Sequence, residues 1–255
     1  MGSAIVAALR AGGVPATGPH GRGYDGAGDA VVLLCVPDDA IGVAAERILP
    51  GPLIGHCSGA SGLDVLGGRP GMSVHPLMTV TRQGADFAGV WAAIAGSDPA
   101  ALAVASSLAA TLGLRPVRVD DADRPAYHAA AAIAANFLIT LESAAAELMS
   151  TAGLDREVLV PLATAALQNW ARGGPAALTG PVVRGDTGTV ALHRRVVMQR
   201  TPHLVGLFDA LVGATQRLAA ADSNPDTGIG SAEPGTTGPG PGSTGSGTDA
   251  RPQHP

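Results

Sequence analysis

The sequence predicts an α/β protein, a doubly wound parallel sheet followed by an all-helical second domain, and three observations carry that class. Short apolar runs stop abruptly at small polar residues: residues 30–36 at Pro37-Asp38-Asp39, residues 53–54 at Gly55-His56-Cys57-Ser58-Gly59, and residues 72–74 at His75-Pro76. Runs of that length, bounded by turn residues, are the pattern of strands buried on both faces. Stretches with helical periodicity lie between them, and such alternation builds parallel sheets. From Arg124 onward the pattern is helical throughout.

Residues 2–10 read as an amphipathic helix stopped by Gly12 and Gly13, with no strand to feed it. A strand and a glycine-rich turn are therefore expected upstream of Gly2. Residues 14–17 are a weak strand candidate leading into the glycine-rich residues 18–23. Residues 30–36 form a strand, and residues 39–49 a short helix ended by Pro50 and Pro52. A helical turn over residues 60–66 opens near Ser61. Residues 85–95 have strand character in their second half, residues 99–112 form a helix stopped by Gly113, and residues 115–119 are a final strand. The first domain is expected to span residues 1–120.

Residues 125–151 read as one long helix, opened by Asp123 and closed by Gly153. Its alanines at 129–132, 134 and 135 leave a nearly bare face that another backbone or a flat ligand can approach. A helical region capped by Asp155 runs to Trp170 with a break at Pro161. After the polar loop at 178–186 come helices over 187–199 and 202–221. The helical domain is thus assigned to residues 121–221. Residues 222–255 are Gly, Ser, Thr and Pro with almost no large apolar side chain, so they are expected to be a disordered tail.

Composition excludes several functions. The chain has 255 residues, a net charge of −5 and 46% apolar residues, enough for a sizeable core but wrong in sign for a nucleic-acid partner. All 16 basic residues are arginine. Schiff-base chemistry, a P-loop lysine and a lysine proton donor are therefore absent. The two cysteines, Cys35 and Cys57, do not form a secreted disulfide framework, and without CxxC or HExxH spacing no metal site is expected. No signal peptide and no bilayer-length apolar run are recognised, so no membrane association and a cytoplasmic location are expected.

In an open parallel sheet the carboxyl ends of the strands line the ligand crevice, which here receives Pro37, Asp38, Ser58 and His75. Five ordered blocks carry a family resemblance: VPDDAI (36–41), HCSGASGLDVL (56–66), SVHPLMTV (73–80), YHAAAAIAANFLITL (127–141) and LTGPVVRGD (178–186). They resemble the Rossmann-like proteins with a helical C-terminal domain of unknown function 2520, within the 6-phosphogluconate and β-hydroxyacid dehydrogenase superfamily that includes ketopantoate reductases. The resemblance implies a Rossmann-like sheet whose first strand is missing here, a 6-phosphogluconate dehydrogenase C-terminal-like helical domain, a nicotinamide cofactor and dimerisation through that domain. It also implies hydride transfer to or from a small oxo or hydroxy acid, with ketopantoate the substrate by resemblance only.

Under that resemblance Gly2 matches the third glycine of the phosphate-binding turn, and Val36, Pro37 and Asp38 complete the cofactor edge. Asn136 matches the asparagine of the long helix, while Ala132 stands where the superfamily places a lysine. His128 is the substitute acid. It lies about 12 Å along the helix axis from Asn136, and its alternative reading is a polar residue at the domain junction. Catalytic candidates are thus His128, Asn136, Ser58 and His75, with Ser58, His75, Asn136 and Arg184 as substrate ligands. Arg184 suits a carboxylate or a ribose, and Asp186 a helix cap. A Ser–His hydrolase is the rival reading, but Ser58 lacks a GxSxG elbow. His20 and Arg22, with no carboxylate before Asp25, favour NADP over NAD. A loop facing water is the bland alternative. A non-catalytic dinucleotide- or metabolite-binding protein is the alternative function.

Overall fold

The computed structural model describes residues 1–80 and 85–222, so the expected tail lies outside the described residues from 223 on. The chain divides into two compact units, the first Met1–Ser150 and the second beginning at Thr151. The first unit therefore extends thirty residues past the boundary expected at residue 120, because it includes the whole long helix.

The first unit opens with α1 (Gly2–Ala11) and then a segment without strand structure over residues 14–17. Pro15 and Pro19 offer no backbone N–H, which weakens any ladder at that point. The sheet follows as β1 (Val31–Leu34), β2 (Leu53–His56), β3 (Gly71–Pro76), β4 (Trp91–Gly96) and β5 (Arg115–Arg118), in that spatial order. Helix α2 (Ile41–Arg47) joins β1 to β2, and α3 (Pro99–Thr111) joins β4 to β5. Pairings β1·β2, β2·β3 and β4·β5 are parallel, as expected. The β3·β4 pair is antiparallel, with Val74 opposite Ile94. A parallel return needs a crossover element, and no helix is described between these two strands.

Alternating side chains feed two cores. Ile5 of α1, Met72, Val74, Ala92, Ile94, Ala105 and Ala109 pack on one face. Val32, Leu34, Ile41, Ala45, Ile54 and Leu66 pack on the other, around α2. Helix α3 is capped by Asp98, whose side chain accepts from the N–H groups of Ala100 and Ala101. Its buried alanines 101, 105 and 109 recur every fourth residue, so the helix lies very close to the sheet. Gly96 marks the tightest approach: a Cβ there would lie 2.2 Å from the Leu102 nitrogen.

The long helix is continuous but not uniform. It runs as α4 (Arg124–Ala132), a π-helical turn (Ile133–Phe137) and α5 (Leu138–Ser150). Within the described residues its apolar face is uncovered, with Ile133, Phe137 and Ile139 at 60%, 61% and 64% exposure.

The second unit is helical: α6 (Val160–Gly173), α7 (Thr187–Arg200) and α8 (Val205–Asp222). Pro161 lies in the first turn of α6 rather than breaking it, since proline at that position sacrifices no intrahelical bond. Asp186 caps α7 through the Thr189 N–H. Arg194 joins α7 to α8 by a fork on Asp209 at 2.8 and 2.9 Å. By length and composition alone, the helical stretches Asp121–Ser150 and Pro202–Asp222 are long and apolar enough to cross a membrane. Neither is an uninterrupted apolar run, since Glu142 and Glu147 break the first and Asp209 and Arg217 the second.

Candidate active site

Strands β2 and β3 end beside the start of α4, and the loop between His56 and Leu63 is held from every side. The His56 imidazole, fully buried, accepts the Ser58 N–H at Nδ1 (3.2 Å). Its Nε2 therefore carries the proton and donates to the Gly62 carbonyl at 3.2 Å. Burial, and then the nearby Arg124 charge, hold the His56 pKa below its ordinary value. Ser58 Oγ accepts from the N–H groups of Ala60 (3.2 Å) and Ser61 (2.9 Å).

Beneath this loop lies Arg124, a guanidinium with no exposed surface. Its Nε donates to Asp121 Oδ1 at 2.9 Å, Nη1 to the Ser58 carbonyl at 3.4 Å, and Nη2 to the Ser73 hydroxyl. Asp121 Oδ2 in turn accepts the Leu63 N–H at 3.2 Å. One ion pair thus ties the β2 loop, β3 and the first turn of α4 together. Neither Arg124 nor His56 was singled out as a site residue from sequence. The available signal was an acidic run, Asp120-Asp121-Ala122-Asp123, leading directly into arginine and proline.

His75 lies above this support. Its Nδ1 is 2.9 Å from the Tyr127 hydroxyl, and its ring is 6.3 Å from the His128 ring, nearly edge-on. Burial first, then the neighbouring His128 and Arg124 charges, lower the His75 pKa to about 4, so the ring is neutral at pH 7. Burial raises the Tyr127 pKa, partly offset by a backbone hydrogen bond with Ala93. Gly59 makes room for the pair of imidazoles: a Cβ there would lie 2.7 Å from His75 Cε1 and 3.0 Å from His128 Cδ2.

The sequence candidates are therefore only partly gathered. His75 and His128 meet, with Ser58 in the adjoining loop. Ser58 does not behave as a nucleophile, because both lone pairs of its hydroxyl are committed and no imidazole bonds it among the described residues. Asn136 falls in the π-helical turn and is exposed. Short π segments recur at functional sites. Arg184 is exposed in the loop before α7, in the second unit.

A second feature of the first unit is a cavity of about 1400 Å³ along β1. Gly2, His20, Arg22, Val36 and Pro37 all line it; Asp38 does not, and Asp39 does. Asp38 instead raises the pKa values of His56 and His75 electrostatically, against the larger causes. His20 stacks on Tyr24 with centroids 3.8 Å apart, and Tyr24 donates to Asp29 at 2.6 Å. The opposite edge of β1 pairs with no described strand. The residues present fit the phosphorylated ribose end of a dinucleotide. The single Gly2 does not by itself make a pyrophosphate-binding turn.

Residues 90–215 match the family described as Domain of unknown function (DUF2520). Among solved structures, a proposed NADP oxidoreductase from Bacteroides fragilis is 24% identical with a TM-score of 0.67, over 74% of this chain and 76% of that one. Protein TM1727 from Thermotoga maritima is 26% identical with a TM-score of 0.66, over 76% of this chain and 80% of that one. No curated protein matches the chain. Parallel-dominated sheet, flanking helices and these likenesses agree on a Rossmann-like fold. Just under half of the chain, residues 90–215, is thus similar to that domain of unknown function.

Proposed function

We propose that the chain is a cytoplasmic NADP(H)-dependent oxidoreductase acting on a small oxo or hydroxy acid. The observation that carries this reading is the His75–Tyr127 pair, bonded at 2.9 Å at the carboxyl edge of a Rossmann-like sheet. Bound cofactor would supply the hydride. His20 and Arg22 would hold its 2′-phosphate, Arg22 through a charge-assisted contact, with Gly2, Val36 and Pro37 along its length. The chain's own residues manage the proton. A neutral His75 is a weak acid alone, but it passes a proton from Nε2 if Nδ1 accepts one from Tyr127 at the same time. Tyr127 thereby takes the place of the missing lysine, and His128 orients the oxygen that receives the proton. Asn136, on the long helix of the same unit, remains a proposed carboxylate ligand. Exposed Ile133, Phe137 and Ile139 fit an interface with a second copy of the chain, which sedimentation at micromolar concentration tests.

A second reading, binding without turnover, is favoured by Ala132 at the lysine position. Titrating NADPH and NADH by cofactor fluorescence, then adding 2-oxo acids, separates the two. The oxidoreductase reading expects NADPH preference, loss of that preference in Arg22→Ala, and oxidation of NADPH that falls at least about tenfold in Tyr127→Phe. Tight binding without oxidation selects the second reading. No binding of either cofactor overturns both.

A further inference from the structure

The two cysteines stand directly across the end of the β1·β2 ladder. Leu34 is registered with His56, so Cys35 and Cys57 are the next pair, and their sulfurs are 3.7 Å apart. Neither is in a disulfide, and both are half-buried. We infer that Cys35 and Cys57 form a peroxide-reactive dithiol, which oxidation closes into a disulfide linking the ends of β1 and β2. The site is independent of the proposed catalytic residues.

Several features distinguish the two thiols. Cys35 lines the cavity along β1, so a small oxidant reaches it from solvent. It also lies under the N-terminus of α1, where a Cβ on Gly2 would be 3.3 Å from Cys35 Cβ. Helix N-termini favour thiolates. The hydrogen bond from Cys57 lowers the Cys35 pKa, whereas that bond and burial raise Cys57. Cys35 is thus the attacking sulfur and Cys57 the resolving one.

The chemistry balances with hydrogen peroxide as oxidant. The Cys35 thiolate attacks one peroxide oxygen, the O–O bond breaks, and the departing hydroxide takes the proton that Cys35 lost. Cys35 becomes a sulfenic acid and one water is formed. Cys57 sulfur then attacks Cys35 sulfur, the S–O bond breaks, and the leaving hydroxide takes the Cys57 proton as a second water. Two thiols are oxidised by two electrons and one peroxide is reduced. The sulfurs must close from 3.7 Å to about 2.05 Å, a movement that rotation of the two side chains can share.

The test uses the intact chain, reduced and then exposed to a small excess of hydrogen peroxide. Denatured intact mass should fall by two hydrogens, titratable thiols should drop from two to none, and dithiothreitol should restore both. In Cys57→Ser, Cys35 should stop at a sulfenic acid trapped by dimedone; in Cys35→Ser, Cys57 should stay a thiol over the same interval. Unchanged thiols in the parent protein overturn the inference. So does a parent that gains oxygen without losing hydrogens, or one that links only between chains. If either variant fails to fold, the mass of the parent protein alone decides.

Discussion

Replacing Arg124 with methionine should cost more stability than any other single change at the site. The guanidinium has no exposed surface and bonds Asp121, the Ser58 carbonyl and the Ser73 hydroxyl. Methionine nearly fills the same volume, so the cavity term is small. What remains is the loss of donors to two buried acceptors, each worth about 1–3 kcal/mol when left unpaired. Ser73 can rotate its hydroxyl, so its share lies at the low end. Asp121 is half exposed, with 51% of its side chain accessible, and simply returns to water. Relief from burying a charge offsets part of the total. The expected loss is about 3 kcal/mol, a large fraction of the roughly 5–15 kcal/mol of a whole domain. Urea denaturation at neutral pH reads it as a lower midpoint at unchanged slope. Asp121→Asn keeps an acceptor for Nε but leaves the buried guanidinium without its counter-charge, so it too should cost about 1–3 kcal/mol. A loss below about 1 kcal/mol for Arg124→Met would refute the account of Arg124 as the buried keystone.

Stability should fall on acidification because of His75. Above its ordinary pKa of 6.5 the ring is neutral folded and unfolded; below it the unfolded chain takes a proton that the folded state refuses until about 4. The contribution is therefore lost between those two values, by about 3 kcal/mol at most, and His75→Gln should flatten that part of the pH–stability curve. A slope unchanged in the variant contradicts the assignment. Gly59→Ala pushes a methyl group into both imidazoles, so it should break the His75–Tyr127 bond and move the His75 titration seen by NMR toward its ordinary value; an unmoved titration counts against the packing described. Gly96→Ala meets backbone rather than a side chain, and the protein should unfold at room temperature or lose more than about 3 kcal/mol; a melt within a few degrees of the parent would exclude the close approach of α3.

Much of the sheet was readable because strand ends announce themselves locally. The breaks at Pro37, Ser58 and His75 are composition changes within a few residues, and the edge they form is real. The antiparallel β4 was not readable, since pairing direction depends on what lies between strands and not on the strand itself. Arg124 was hidden for a similar reason. An arginine opening a helix after two aspartates reads as solvent-facing, and its burial depends on Ser58 and Ser73, 66 and 51 residues away. Residues 14–17 mislead in the other direction: valine and threonine favour a strand, but Pro15 lies between them and Pro19 follows. The alanines around Asn136 read as a packed face, yet Ile133, Ala134, Asn136 and Phe137 are all exposed among the described residues.

The open edge of β1 has a consequence for backbone dynamics. In a parallel ladder alternate residues of an edge strand point their N–H groups toward the neighbour, and the intervening ones point away. Among the described residues, Val31–Leu34 pairs only on its β2 side. Amide hydrogen exchange should therefore alternate residue by residue along this strand, slow where the ladder holds and fast where the N–H faces the cavity. The same fast-exchanging row is a template for any extended chain. Val31 is already 38% exposed and the strand itself carries no charge or proline to turn a partner away. At high concentration these chains have a ready seam at which to join edge to edge, and a loss of the alternation would report that they have done so.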